Sequence, residues 1–244
     1  MLDYRVLPAG DTALVVEFGD RIDRELNAAV LALAHGLDAA RVPGIVETVP
    51  TFRSLMVHYE PLVLSANALI ARIGEQIRSL KANTAAGHLW HLPVCYDPSL
   101  AIDLDNVARR TSLSAQQIVD RHCAPTYHVY MLGFLPGQAY MGEVAAELAL
   151  DRLETPRTRI PAGSLAIAAA MSCVFPLETP CGWHIIGRCP VPLWDQGRAT
   201  ALLAPGDKVR FVPISIQEFE TLATGVSQGV LRLEPVDEIV GAAA

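Results

Sequence analysis

Positive charge is scarce in this sequence, and one kind of it is nearly absent. Lysine occurs only at Lys81 and Lys208, and 26 acidic residues outnumber 19 basic ones, which gives a formal net charge of −7. Proteins that bind nucleic acid usually present a basic face. The charge balance therefore argues against a nucleic-acid partner.

Long apolar runs are also missing. The N-terminal stretch MLDYRVLPAG carries Asp3 and Arg5 and lacks the apolar core of a signal peptide. The longest apolar stretch, around residues 165–175, is too short to cross a bilayer. We therefore expect a cytoplasmic protein with no membrane partner.

Several common catalytic and metal-binding motifs are absent. The chain contains no GxxxxGK[ST], GxGxxG, HExxH or GxSxG sequence, so it offers no familiar ATP-binding loop or hydrolase elbow. Its five cysteines form no Cys-x-x-Cys pair, which indicates reduced thiols. Cys173, Cys181 and Cys189 recur every eight residues near His184, but this spacing matches no known zinc motif. We assign no metal site.

Half of the residues are apolar, and their pattern divides the chain. Residues 1–87 predict a small α+β domain in the order βαββα, with one helix closing near Gly36 and a second capped by Ser65. The strand-like HLWHLPVCY is expected to extend the same layer. The polar stretch Lys81–His88 is the best linker candidate.

Residues 88–235 predict a second domain. Two short helices open it, DLDNVARR and SAQQIVDRHC, and Ser114 with Gln117 forms a capping-box pattern in the second. From Tyr127 onward, glycine and proline punctuate short apolar runs, which is typical of a β-barrel or sandwich. Residues 236–244 should form a loose tail.

The second domain holds the candidate site. Arg157 and Arg159 stand two apart in a predicted strand, so their side chains share a face and could hold a carboxylate or phosphate. Solvated arginines on an edge strand are the alternative. His184 and Arg188 are expected on one strand face, and the glycines around Pro136 allow a ligand to approach the backbone closely.

Seven ordered motifs carry a resemblance to a known family: RSL at 53–55, LPVCYD at 92–97, DL at 103–104, VYMLGFLPGQAYMG at 129–142, PRTRIPAGSLAI at 156–167, TPCGWHIIGR at 179–188 and PGDKVRFVPI at 205–214. Nearly the whole chain resembles the family of allophanate hydrolase subunit 1, the Kip-type kinase inhibitor and the B-type subunit of 5-oxoprolinase. The resemblance implies an α+β fold, with a small α+β N-terminal domain followed by a cyclophilin-like β-barrel.

The resemblance also implies a function. We expect a subunit of an ATP-dependent 5-oxoprolinase, which opens 5-oxoproline to glutamate and is inactive without its partners. These are a larger paired subunit and a third, lactam-hydrolase-like subunit, and they would share ATP and its Mg²⁺. Two alternatives are the carboxyltransferase half of a urea carboxylase or allophanate-type system, with biotin carried by another protein, and a non-enzymatic inhibitor of a sensor histidine kinase.

With this family context, one end of the barrel becomes the expected site. His184 is the expected catalytic base, because histidine titrates near neutral pH. The expected substrate-binding residues line the same end: Arg157, Arg159, Arg188, Gln138, Gly137 and Gly182. The sequence departs from the family pattern on these loops, where Gln138 replaces a phenylalanine, Cys181 replaces a glycine, and AAMSC stands at 169–173.

Overall fold

A computed structural model describes residues 3–80, 87–230 and 232–236. Its contacts divide the chain into two compact units, Met1–Ala86 and Gly87–Ala244. Most of the predicted linker, 81–86, and the predicted tail beyond Val236 lie outside the described residues.

The first unit is a four-stranded antiparallel sheet with two helices. Its strands are ordered β1-β2-β4-β3, and alternate side chains of the two central strands point into a core shared with the helices. The elements are β1 (Tyr4–Pro8), β2 (Ala13–Phe18), α1 (Arg24–Ala40), β3 (Ile45–Pro50), β4 (Ser54–Tyr59) and α2 (Ala66–Ser79). The observed order is ββαββα, so the predicted βαββα pattern lacks one of the two strands that precede α1. The predicted antiparallel pairing is confirmed.

The sequence predicted the start of α2 correctly and the end of α1 incorrectly. The hydroxyl of Ser65 accepts a hydrogen bond from the N–H of Ala68 at 3.3 Å, so the predicted cap of α2 is confirmed. The predicted end of α1 at Gly36 is wrong, because the helix continues to Ala40. A β-carbon at Gly36 would lie 2.8 Å from the side-chain oxygen of Gln76, so this glycine permits close packing against α2.

The second unit contains a closed seven-stranded barrel in the order β10-β7-β6-β15-β5-β12-β9. Its strands are β5 (Leu89–Cys95), β6 (Tyr127–Leu132), β7 (Ala139–Gly142), β9 (Ser164–Ala168), β10 (Met171–Val174), β12 (His184–Arg188) and β15 (Lys208–Ile214). The expectation that Leu89–Cys95 extends the N-terminal layer is wrong. That strand pairs in parallel with β15, about 120 residues later, and local sequence carries no signal for such a pairing.

Shorter elements surround the barrel. A ribbon of β8 (Arg157–Ile160) and β11 (Thr179–Cys181) and a second of β13 (Trp194–Asp195) and β14 (Thr200–Ala201) lie outside it. The helices are α3 (Leu104–Thr111), α4 (Ala115–Cys123) and α5 (Ile216–Ser227). The predicted capping box of Ser114 and Gln117 is confirmed at the start of α4. Within the described ranges, no helix has the length and apolar character that a membrane span requires.

His122, on α4, is a fully buried titratable side chain of this unit. Its Nδ1 lies 2.9 Å from the hydroxyl of Tyr96 and its Nε2 lies 3.0 Å from the hydroxyl of Ser172. Both hydroxyls can donate or accept, so they satisfy a neutral ring. Burial lowers the pKa of His122 to about 3. The ring therefore stays uncharged at neutral pH.

This burial predicts a loss of stability in acid. The unfolded chain binds a proton at His122 below its ordinary pKa of about 6.5, and the folded chain does so only near 3. As the pH is lowered from about 6.5 towards 3, this residue should therefore reduce the unfolding free energy by about 1.4 kcal/mol per pH unit. The measurement is urea unfolding at pH 7 and pH 5, followed by tryptophan fluorescence, since Trp90, Trp183 and Trp194 all belong to the second unit.

Between pH 7 and pH 5, the unfolding free energy of the variant His122→Gln should fall by about 2 kcal/mol less than that of the wild-type chain. The control is His35→Gln, which replaces an exposed histidine of the first unit and should leave the pH dependence unchanged. Equal pH dependence in wild type and His122→Gln would refute the prediction.

Candidate functional site

A buried carboxylate joins three elements at one end of the barrel. Asp103, just before α3, is almost fully buried, and its two oxygens bind different strands. One oxygen forms an ion pair with the guanidinium of Arg157 on β8. The other accepts the backbone N–H of Ile185 on β12 at 2.7 Å, and the backbone N–H of Asp103 donates to the carbonyl of Ile185 at 2.9 Å. Asp103 therefore sets the position of Arg157 against β12.

Within the described residues, one terminal guanidinium nitrogen of Arg157 has no hydrogen-bond partner. Its Nη2 binds Asp103, whereas its Nη1 is buried and has no hydrogen-bond partner within the described part of the chain. A buried donor without a partner costs about 1–3 kcal/mol. A ligand oxygen at this nitrogen would remove that cost.

His184 lies next to this ion pair at the start of β12 and is fully buried. Its Nε2 is 2.8 Å from the carbonyl oxygen of Asp151 and 3.3 Å from a guanidinium nitrogen of Arg110. A carbonyl can only accept and a guanidinium can only donate, so the two contacts demand opposite protonation of Nε2. The shorter contact favours an Nε2–H donating to Asp151, which leaves a lone pair on the buried Nδ1, an atom without a partner among residues 3–80, 87–230 and 232–236.

Gln138 supplies a third unsatisfied polar group. The residue is 1% exposed, and its Nε2 lies 4.0 Å from the sulfur of Cys173 on β10. Its Oε1 is buried without a partner among the described residues. The unpartnered buried atoms among the described residues of this unit therefore include one donor, on Arg157, and two acceptors, on Gln138 and His184.

Two buried thiols lie between Gln138 and the ion pair. The electrostatic interactions of Cys181 include Arg157 and Asp103, and those of Cys173 include Cys181. Burial raises the pKa of both thiols, so both are protonated at neutral pH and are poor nucleophiles. The part of the chain that the structure describes contains no group of three metal-ligating side chains.

The segment Leu150–Pro156 lies across this site. Besides the carbonyl of Asp151, it places the guanidinium of Arg152 5.8 Å from the ring centre of Trp183, in a cation–π contact. The N–H of Leu153 also donates to the carbonyl of Gly182 at 2.7 Å. His184 and Gln138 are buried, so a ligand can reach them only when the protein opens, and this irregular segment contacts His184 and Gly182.

Two of the sequence-predicted arginines lie apart from the buried group. Arg159 is 76% exposed at its side chain and forms an ion pair with Glu178 at 2.6 Å, so the two arginines of β8 engage different carboxylates. Arg188 donates to the carbonyl of Ala162 at 3.0 Å. A β-bulge between Ile185 and Gly187 interrupts the strand alternation that would have placed Arg188 on the face of His184.

Gly137 and Gly182, the two glycines expected to bind substrate, contribute through their backbone conformation and contacts. Gly137 has φ +75°, and a β-carbon there would lie 2.6 Å from the carbonyl oxygen of Leu193, so only glycine fits. At Gly182 a β-carbon would meet Pro156 at an ordinary 3.6 Å. Gly182 instead contributes the carbonyl that holds Leu153.

Sequence reasoning missed Asp103, Arg110 and the carbonyl of Asp151. The stretch DLDNVARR contains the first two, but its pattern indicates only the acidic start and basic end of a helix. The link between Asp103 and Arg157 spans 54 residues. No local signal could have joined them.

Comparisons with known proteins agree on one family. Residues 4–204 match the family described as carboxyltransferase domain, subdomain C and D. The chain is 33% identical over 231 residues to the B-type subunit of 5-oxoprolinase from Bacillus subtilis (strain 168), covering 88% of this chain and 95% of that protein. It is 35% identical over 208 residues to the corresponding 5-oxoprolinase subunit of Escherichia coli O157:H7, covering 84% and 93%.

Solved structures support the fold. The protein TTHA0988 is 36% identical, with a TM-score of 0.76, over 83% of this chain, which spans only 40% of that longer protein. The Kluyveromyces lactis urea amidolyase matches 96% of this chain and 16% of its own length, with a TM-score of 0.79 at 18% identity. The last likeness concerns the fold alone.

The buried ion pair predicts a large stability effect. Asp103→Asn leaves the partly buried Arg157 without a counter-charge and should lower the unfolding free energy by about 3 kcal/mol. Glu178→Gln breaks the exposed pair with Arg159 and should cost less than about 1 kcal/mol. Urea unfolding followed by tryptophan fluorescence measures both, and equal losses in the two variants would contradict the assignment.

Proposed function

The chain belongs to the carboxyltransferase-domain family of subdomains C and D, and we propose that it acts as the B-type subunit of a 5-oxoprolinase. The supporting observation is identity of 30–35% to three proteins of that name, over 84–88% of this chain. The proposed reaction is the ATP-dependent opening of the lactam ring of 5-oxoproline to give glutamate.

The unsatisfied atoms of the candidate site match the polar groups of a lactam. A lactam ring carries one N–H donor and one carbonyl acceptor. In our proposal, Oε1 of Gln138 accepts the ring N–H, and Nη1 of Arg157 donates to the carbonyl oxygen. Negative charge grows on that oxygen as water adds to the carbonyl carbon, so a fixed guanidinium stabilises the transition state more than the ground state.

His184 is the proposed general base. Its Nδ1 lone pair takes a proton from the attacking water and returns it to the ring nitrogen as the C–N bond breaks, which releases the amine of glutamate. Throughout, Nε2–H stays bonded to the carbonyl of Asp151. That second bond holds the ring in one tautomer and one orientation. Asp103 acts through Arg157 and is a positioning residue. Arg159 and Arg188 have no role in this scheme, although a partner subunit could use them.

ATP and its Mg²⁺ are assigned to the assembled complex. The sequence has no phosphate-binding loop of its own. The proposed partners are a larger paired subunit and a third, lactam-hydrolase-like subunit. The segment Leu150–Pro156 would have to move for the lactam to enter, and contact with a partner could favour that movement.

The first experiment is ATP hydrolysis by this chain, alone and mixed with its companion subunits, with and without 5-oxoproline. Hydrolysis that requires both the full mixture and the lactam is the expected result. An assembled complex without lactam-dependent turnover would overturn the proposal. Biotin-dependent carboxylation of urea by that complex would then identify a carboxyltransferase half, and failure to assemble would favour an inhibitor.

A substitution at Gln138 separates a binding role from a structural one. Gln138→Met keeps the volume and removes an unsatisfied acceptor, so the unfolding free energy should stay the same or rise. Loss of the bond to the lactam N–H should lower kcat/KM by about tenfold or more, which corresponds to about 1.4 kcal/mol. The control is Gln217→Met on the exposed face of α5. Unchanged kcat/KM in Gln138→Met would remove Gln138 from the site.

A further inference from the structure

The irregular segment that crosses the candidate site carries one arginine, Arg152. A backbone contact lies on each side of it. The carbonyl oxygen of Asp151 is 2.8 Å from Nε2 of His184, and the N–H of Leu153 donates to the carbonyl of Gly182 at 2.7 Å. These two contacts fix the backbone of Arg152 beside the start of the strand that carries His184.

The guanidinium of Arg152 lacks a carboxylate partner. It forms no salt bridge within the described part of the chain, whereas Arg157 is paired with Asp103. Its contact is with the ring of Trp183, whose centre lies 5.8 Å away. A guanidinium that contacts a ring keeps its N–H donors available for an anion.

Arg152 places its charge beside Gln138. Burial raises the pKa of Tyr140, Cys173 and Cys181, and the positive charge of Arg152 partly opposes each rise. Tyr140 follows Gln138 by two residues, and the sulfur of Cys173 lies 4.0 Å from Nε2 of Gln138. The cation therefore acts on groups that surround Gln138.

The structure of 5-oxoproline requires a cation on that side. Its carboxylate is bonded to the ring carbon next to the lactam nitrogen, and in the proposed binding mode that nitrogen faces Gln138. Arg110 also approaches the site, but it lies 3.3 Å from Nε2 of His184, the ring nitrogen that does not act as the base. Arg152 is exposed, so a carboxylate paired with it keeps part of its hydration and avoids the cost of full burial.

We propose that Arg152 binds the carboxylate of 5-oxoproline and thereby selects this substrate from lactams that lack an acidic group. This inference rests on the proposed function, which supplies the substrate and its orientation. The planar fork of a guanidinium matches the two oxygens of a carboxylate. Because Arg152 lies on the segment that has to move for the lactam to enter, its pairing with bound substrate favours the closed position of that segment.

The test uses the assembled complex and two ligands that differ in charge, 5-oxoproline and the neutral amide of its carboxylate. Arg152→Gln should lower kcat/KM for 5-oxoproline at least about tenfold, because a charged hydrogen bond is lost. The inhibition constant of the neutral amide, measured against 5-oxoproline, should stay within about twofold of the wild-type value. Arg152→Lys keeps the charge and should retain more of kcat/KM than Arg152→Gln. The control is Arg198→Gln, which removes an exposed arginine paired with Asp195 and should change neither constant.

The outcomes separate the two proposals. A wild-type complex without lactam-dependent hydrolysis overturns the proposed function, and this inference with it. If the wild type is active and Arg152→Gln keeps its kcat/KM for 5-oxoproline, only the role of Arg152 is overturned. Equal weakening of 5-oxoproline and the neutral amide also overturns that role, because Arg152 would then hold the segment in place without contacting the carboxylate.

Discussion

The candidate site depends on the carboxylate of Asp103. It neutralises Arg157, accepts the N–H of Ile185 and stands at the start of α3, so one side chain joins a helix, an outer ribbon and a barrel strand. A buried charge is tolerable only when it is paired and hydrogen-bonded, and here both oxygens are satisfied. The arrangement leaves Arg157 with one donor that no described protein group uses.

The side chains of His184 and Gln138 are also buried, but each has only part of its hydrogen-bonding capacity satisfied. Within the described residues, His184 has Nε2 bound to a carbonyl and Nδ1 unpartnered, and Gln138 has Nε2 near a sulfur and Oε1 unpartnered. Each of the three side chains is therefore oriented by one contact and left unsatisfied at another. Buried polar atoms are rarely left without a partner, so these three atoms are candidate contacts for the polar groups of a ligand.

The sequence predicted those features that depend on neighbouring residues. The caps at Ser65 and Ser114, the antiparallel N-terminal sheet and a β-rich second unit all follow from local periodicity and turn residues. The parallel pairing of β5 with β15 and the link from Asp103 to Arg157 do not, because each joins segments far apart in sequence. The resemblance placed His184 and Arg157 in one region without revealing what holds them there.

The arginine pair shows why spacing alone could not identify the site. Arg157 and Arg159 stand two apart on β8, yet Arg157 turns to a buried carboxylate and Arg159 to Glu178 at the surface. What distinguishes them is the partner that the barrel brings to each, and the bulge in β12 separates His184 from Arg188 in a similar way. In this chain the long-range pairing decides which charged residues are buried, and burial in turn decides which of them retain an unused donor or acceptor for a ligand.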